Sequence, residues 1–479
     1  MEAKEEKEIC NHPPDVISKL PDALISQILS YLPTKEAVRT SVLSDRWKSL
    51  WLLTPTLELA SNEVQDYNAF VSIVDKSLGF CREEKSCLHK LKLLIIQKDE
   101  NDPHCLTRWI DFVAKRKVKH IDVDCFLVRR ELMEVMPLSL YVCETLLHLR
   151  LHRVVLGSFE SVSLPCVKTM YLEQNVYANE KSLESLISSC PVLKDLIIVR
   201  MLGDNVKVLR VHSQSLTSVT IGFELGQSRM WFYRYNREIL GLSVDAPRLK
   251  YLNFNDDVSR SQILSNFSPS VRVNLGGGYI PYFTDGNDLS KKLLVSSFFY
   301  AISRVTDLII SENTMRLISS CFKGEALPQL CNLSCLEANV CLIDVEILSR
   351  LFDSSPRLKS FVLNLTHPTV VDSDPTSFWF VPQCFFSSLE FVEIKCCYNG
   401  ERVAMRLASY FAENSVALKK FVLRWTDHVL EEDSVLRDLH ALSWRARTCE
   451  VEAFGPPKSG DSDLDLDLDS VQTVFRMSL

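Results

Sequence analysis

No stretch of this 479-residue chain approaches the 18 or more consecutive apolar residues that cross a bilayer, so no membrane span is expected. Met1 to Ile9 are rich in Glu and Lys and hold no apolar signal core, so secretion is not expected either. None of the sixteen cysteines forms a Cys-x-x-Cys pair, and neither Cys331/Cys335 nor Cys396/Cys397 has a His at zinc-finger spacing. No metal site is expected; the cysteines read as buried free thiols in a reducing compartment. The phosphate-cradling G-x-x-x-x-G-K-[ST], the nucleophile elbow G-x-S-x-G and the zinc motif H-E-x-x-H are all absent. Gly276-Gly277-Gly278 runs into Tyr-Ile-Pro, which is no phosphate cradle. His148 and His152 fall on a predicted strand and its exit and so share no helical face; they read as surface or ordinary core histidines. With no nucleophile and base to pair, no catalytic residue and no cofactor is expected. A net charge of −7 argues against broad nucleic-acid binding.

What the chain has in quantity is one short pattern: an apolar anchor, two mostly polar residues, an apolar residue, any residue, and another apolar residue. It starts at Leu88, Val118, Leu146, Val167, Leu193, Leu216, Leu249, Val305, Leu358, Leu389 and Leu418, with a poor copy, LCNLSC, at Leu330. The spacing is mostly about 21–33 residues, which is the period of leucine-rich repeats and slightly beyond. Each copy reads as one short parallel strand that cannot bury its apolar face alone, so neighbours must stack into a solenoid. Pro191, Pro247 and Pro356 stand shortly before three anchors and fit turns. Helical fillers precede two of those turns: Leu183, Leu186 and Ile187, then Ile347, Leu348, Leu351 and Phe352. Residues 222–242 and 255–300 break the period and read as insertions or degenerate repeats.

Ahead of the repeats lies a denser unit, Leu20 to Trp51, which reads as three short helices. Leu24, Ile25, Ile28, Leu29, Tyr31 and Leu32 recur at helical spacing after Pro21, and cover an arc of roughly 160°, wider than one core-facing stripe needs. Pro33 stops that helix and Thr34 is placed to cap the second, which carries Ala37, Val38 and Val42. Ser44 is placed to cap a third bearing Trp47, Leu50 and Trp51. About 35 residues rarely bury enough surface to fold alone, so the unit must dock on the rest of the chain or on a partner. Residues 61–87 are expected to be helical, with Phe70, Ile73, Val74 and Leu78 on one face.

The residues Leu20-Pro21-Asp22, Leu24, Ile28-Leu29-Ser30, Leu32-Pro33-Thr34-Lys35, Thr40-Ser41, Leu43-Ser44, Arg46-Trp47 and Leu50-Trp51 resemble an F-box, most closely its plant form. Asp45 and Lys48 depart from the residues usual there. The resemblance implies a surface for a Skp-type adaptor, and through it a cullin, made by Leu20, Pro21, Leu24, Ile28, Leu29, Leu32, Pro33, Val42, Leu43, Trp47, Leu50 and Trp51, with Trp47 as a structural pin. A second resemblance, to the plant FBD domain, is carried by Val381-Pro382-Gln383-Cys384, Leu389 to Ile394, Tyr410-Phe411, Glu413-Asn414-Ser415, Leu418-Lys419-Lys420 and Cys449.

The fold expected is therefore an α/β repeat protein. A disordered lead (1–14) precedes a three-helix F-box (15–60), an open leucine-rich-repeat solenoid of parallel strands and helices (61–375), a C-terminal FBD cap (376–455) and an acidic disordered tail (456–479). The function expected is a non-catalytic substrate-recognition subunit of a ubiquitin ligase, acting in the nucleus and/or cytoplasm; a repeat scaffold outside any ligase is the alternative. The protein substrate is expected on the outward positions of the strands: Lys194, Asp195 and Ile197 on one, Lys359, Ser360 and Val362 on a later one. Lys115-Arg116-Lys117-Val118-Lys119 resembles an import signal but also suits the C-terminal end of a helix bearing Trp109, Ile110, Phe112 and Val113. Leu464, Leu466 and Leu468 alternate with Asp, as in a short corepressor-docking motif or a solvated tail.

Overall fold

The computed structural model describes residues 17–455 except 84–87, 97, 99–103, 202, 224–239, 257, 259–260, 264–266, 277–288, 324, 342–346, 367–380, 397–400 and 426–431. The expected lead, the Leu464–Leu468 motif, most of residues 222–242 and part of residues 255–300 lie outside the described residues. The chain forms two compact units, Met1–Lys250 and Tyr251–Leu479.

In the first unit, α1 (Asp22–Leu29) and α2 (Thr34–Arg39) precede seven parallel strands: β1 (Thr56–Ala60), β2 (Lys90–Leu94), β3 (His120–Asp124), β4 (His148–His152), β5 (Thr169–Glu173), β6 (Asp195–Arg200) and β7 (Ser218–Phe223). They pair in chain order. The cause is the repeat itself. The anchors Leu88, Val118, Leu146, Val167, Leu193 and Leu216 are buried two residues ahead of their strands. The second and fourth strand residues, such as Ile121 and Val123 or Leu196 and Ile198, are buried behind them. The residues between point outward, as a two-residue period demands. Three of the stretches between strands form α-helices: α3 (Tyr67–Glu83), α4 (Cys105–Ala114) and α5 (Glu180–Ser188). The Asn179 side chain caps α5 by accepting from Ser182 N at 3.0 Å. α4 ends at the expected basic cluster, where Lys115 pairs with Asp111 at 2.7 Å and the Arg116 guanidinium lies 4.2 Å from the Phe112 ring centre.

The second unit repeats the scheme with β8 (Tyr251–Asn255), β9 (Arg272–Leu275), β10 (Asp307–Ile310), β11 (Cys335–Cys341), β12 (Ser360–Thr366), β13 (Phe391–Cys396), β14 (Lys420–Trp425) and β15 (Glu450–Phe454), again parallel and in chain order. Its helices are α6 (Leu289–Ile302), α7 (Glu312–Cys321), α8 (Ile347–Ser354), α9 (Gln383–Ser387), α10 (Glu401–Asn414) and α11 (Glu432–His440). The segment expected as an FBD cap continues the same ladder, because β13 pairs with β12. Phenylalanines close the join: Phe352 lies 4.9 Å from Phe361 and 5.2 Å from Phe385, and Phe385 stacks on Phe411 at 5.2 Å.

Three expectations need correction. The third helix of the N-terminal unit is two 3₁₀ turns, Asp45–Lys48 and Leu50–Leu53, and Ser44 makes no capping hydrogen bond. Thr34 does not cap α2; it opens the helix, and its hydroxyl accepts from Glu58 N in β1 at 2.8 Å. The poor copy at Leu330 is out of register: β11 follows Leu333, whose copy reads Leu333-Ser334-Cys335-Leu336-Glu337-Ala338. Part of the 255–300 stretch is a degenerate repeat, made of β9 and α6.

Candidate functional site

The N-terminal unit is built around a small core. Ile25, Leu29, Ala37, Trp47 and Leu50 are buried together, with Leu20, Trp51 and Leu53 packed at the edge. Polar contacts close it. Arg46 Nε donates to Asp22 Oδ1 at 2.9 Å, Ser26 Oγ to the Leu53 carbonyl at 3.0 Å, and Trp51 Nε1 to the Lys48 carbonyl at 3.1 Å. Thr34, 4% exposed, ties the unit to β1 through Glu58 N.

This core divides the twelve residues expected at the adaptor surface. Leu29, Trp47 and Leu50 are buried in it, and Leu20 and Trp51 are half-buried against it. Pro21, Leu24, Ile28, Leu32, Pro33, Val42 and Leu43 are exposed, Val42 by 87% and Leu43 by 63%. The wide apolar arc of the first helix thus has two sides: Ile25 and Leu29 face the core, while Leu24 and Ile28 face away. Ile17, Tyr31 and Val38 are exposed too and extend the same class of surface, though the expected set omits them. Tyr31 carried a signal, since it falls within the helical apolar series. Monomeric soluble proteins rarely expose apolar side chains this densely.

Of the expected substrate residues, Lys194 is exposed one position ahead of β6, and Asp195 and Ile197 are half-buried between the buried Leu196 and Ile198. Lys359, Ser360 and Val362 take the equivalent places on β12 in the other unit. Val362 stands in register between Glu337 and Glu393.

The outward face of the first unit also carries a charge network in which three carboxylates share one guanidinium. Arg150 reaches Asp122 and Asp124 at 3.1 Å and Glu173 at 2.7 Å, and His152 Nδ1 lies 2.6 Å from Asp124 Oδ1. Burial pushes the Asp124 carboxyl up, but His152 and Arg150 outweigh it and hold the carboxyl below its ordinary value. His148, on the same strand, shares a 2.5 Å contact with the Thr169 hydroxyl. Burial pushes the thiols of Cys125, Cys190 and Cys384 up to about 12, away from thiolate chemistry. No metal-binding group of three or more His, Cys, Asp or Glu occurs among the described residues, and no described helix is long and apolar enough to cross a membrane. A cavity of about 540 Å³ in the second unit is lined by residues of β13, β14, α10 and α11, among them Arg402, Arg406 and Trp425.

Three family models match the chain: the F-box domain over residues 17–56, the LRR repeats of FBD-associated F-box protein At5g56370 over 106–274, and the FBD over 379–423. The FBD-associated F-box protein At5g22730 of Arabidopsis thaliana is 51% identical over 443 residues, covering 91% of this chain and 94% of the relative. The putative F-box/FBD/LRR-repeat protein At5g22610 of the same plant is 49% identical over 472 residues, covering 95% and 93%. The F-box/FBD/LRR-repeat protein At5g22700, also of that plant, is 41% identical over 451 residues, covering 92% and 98%. Helical motif, repeat ladder and C-terminal continuation thus each have their counterpart, and the chain belongs to the plant F-box/FBD/leucine-rich-repeat family.

Proposed function

We propose that this chain is a substrate-recognition subunit of a Skp–cullin–F-box ubiquitin ligase, working inside the cell in the nucleus and/or cytoplasm. The observation that carries the reading is the exposed apolar set Leu24, Ile28, Leu32, Val42 and Leu43 on a helical unit whose own core is so small. An adaptor that covered this set would supply the burial the unit lacks. The repeats would then hold a protein substrate while the transfer chemistry runs on other subunits, so the chain contributes orientation and effective concentration. The proposed adaptor surface consists of the exposed residues, and Leu29, Trp47 and Leu50 act by holding them in place.

The test is capture of a recombinant Skp-type adaptor by the full chain. Val42→Asp with Leu43→Asp is expected to abolish capture and leave the melting temperature within about 2 °C, because surface changes rarely exceed about 0.5 kcal/mol. Trp47→Ala is expected to lose capture by unfolding the motif, since removing a buried Trp side chain costs about 3–5 kcal/mol. Undiminished capture by the double variant would overturn the proposed surface. Failure of the unaltered chain to bind adaptor would favour a repeat scaffold acting outside a ligase.

A further inference from the structure

We infer that the N-terminal rim of the first unit's sheet is a binding site for an extended acidic segment of a partner protein, which deepens the proposal that the repeats hold a protein substrate. The rim is defined by the residue just ahead of each strand. Backbone hydrogen bonds join these residues into a row: Lys119 N donates to His89 O, Leu147 N to Lys119 O, Lys168 N to Leu147 O and Lys194 N to Lys168 O. The row continues through Thr217 to Lys250. Equivalent places in a parallel ladder carry side chains the same way, so the repeat aligns these cations along one edge.

Two observations give the row its sign. It contains no carboxylate, and among the described residues Lys119, Lys168, Lys194 and Lys250 are exposed and enter no ion pair. The network around Arg150 on the same sheet, by contrast, sets three carboxylates, Asp122, Asp124 and Glu173, around one guanidinium. The second unit's row of Thr306, Ser334, Lys359, Glu390 and Lys419 includes an acid, and Lys419 is paired with Glu390 at 2.8 Å. An excess of positive charge on one rim of a chain with net charge −7 is therefore local. The potential is felt nearby: burial first, then Lys90, Lys119 and His89, push the imidazole of His120 below its ordinary value.

Length sets the ligand. Six strand spacings separate His89 from Lys250, about 29 Å at about 4.8 Å each, which an extended peptide spans with about nine residues. Carboxylates or phosphates on such a segment would meet ammonium groups that have no ion-pair partner to give up among the described residues.

The experiment titrates full-length protein with a fluorescein-labelled nonaglutamate peptide, a neutral Gly/Ser nonapeptide and a nine-nucleotide single strand, read by anisotropy at low and moderate salt. The unaltered chain is expected to bind nonaglutamate and not the neutral peptide, and to weaken as salt rises. Lys119→Gln with Lys168→Gln and Lys194→Gln should weaken binding at least about tenfold. The matching triple Arg variant should stay within about twofold, and so should a control of equal charge change, Lys76→Gln with Lys181→Gln and Lys323→Gln. The inference falls if the unaltered chain does not bind nonaglutamate, if the rim variant binds as well as the unaltered chain, or if the control loses as much. Tenfold tighter binding of the oligonucleotide than of the peptide would also overturn it in favour of a nucleic-acid partner. Adaptor capture on the same preparations reads the ligase proposal separately: its failure leaves the titration intact, and the rim variant is expected to capture adaptor normally.

Discussion

Glu134 is 3% exposed, yet it accepts hydrogen bonds from the amides of Leu106 and Thr107, from the Thr107 hydroxyl and from Lys98 Nζ at 2.7 Å. Those amides open α4, where backbone N–H groups have no partner within the helix and a negative charge is favoured. The Lys98 side chain is only 7% exposed, and its ammonium lies 2.7 Å from this carboxylate. Glu134→Ala is therefore expected to cost about 3–5 kcal/mol, because it removes the carboxylate facing a buried ammonium and strands two helix-opening amides at once. Glu134→Gln should cost less, since its amide oxygen still accepts. Urea unfolding followed by far-UV circular dichroism measures both, and an Ala variant within about 1 kcal/mol of the unaltered chain would refute the role. Nothing in the sequence marks Glu134: it stands in no motif, and its partners come from 27, 28 and 36 positions away. The F-box poses the same difficulty on a smaller scale. Spacing placed Leu24, Ile25, Ile28 and Leu29 on one helix, but which two face the core depends on Trp47 and Leu50, which lie 18 and 21 positions beyond Leu29.

At the level of elements, the anchors were enough to find eleven strands, because a buried Leu or Val two residues ahead of a strand is a repeated packing requirement. The ladder strand β11 was met only by a copy three residues out of register, and the ladder strands that escaped altogether are β1, β9 and β15. Two residues ahead of each stands Thr54, Ser270 or Thr448 in place of the apolar anchor. These strands are held by pairing to their neighbours, a long-range cause that a local pattern does not display. β1 has a practical consequence. A cut between Ala60 and Ser61, the boundary that the sequence suggests, parts β1 from β2 and leaves Leu91 and Leu93 beside an unpaired strand edge. A fragment beginning at Pro55 is expected to stay monomeric in size-exclusion chromatography, whereas one beginning at Ser61 should associate or precipitate, as open edges do. Equal behaviour of the two fragments would mean that β1 does not protect that edge.

For the whole molecule, sequence order and strand order coincide within each unit, and that was readable from the repeat alone. The charge asymmetry of the two rims was not, since it emerges only when register aligns residues 21–33 positions apart. Stability in such arrays is a sum of repeats and their interfaces, so damage stays close to where it is made. Leu363→Ala, in the middle of β12, is expected to destabilise the second unit by about 2–5 kcal/mol while the soluble protein still captures adaptor; loss of capture in step with loss of stability would show the two to be coupled. Strand order also fixes a timetable. Synthesis at about 5–20 residues per second leaves roughly 8–33 s between the end of β1 at Ala60 and the end of β7 at Phe223. A nascent chain thus finishes its F-box residues well before it finishes the rim that starts at His89 and runs to Lys250, so the proposed adaptor surface is exposed to the cell before the proposed substrate surface is complete.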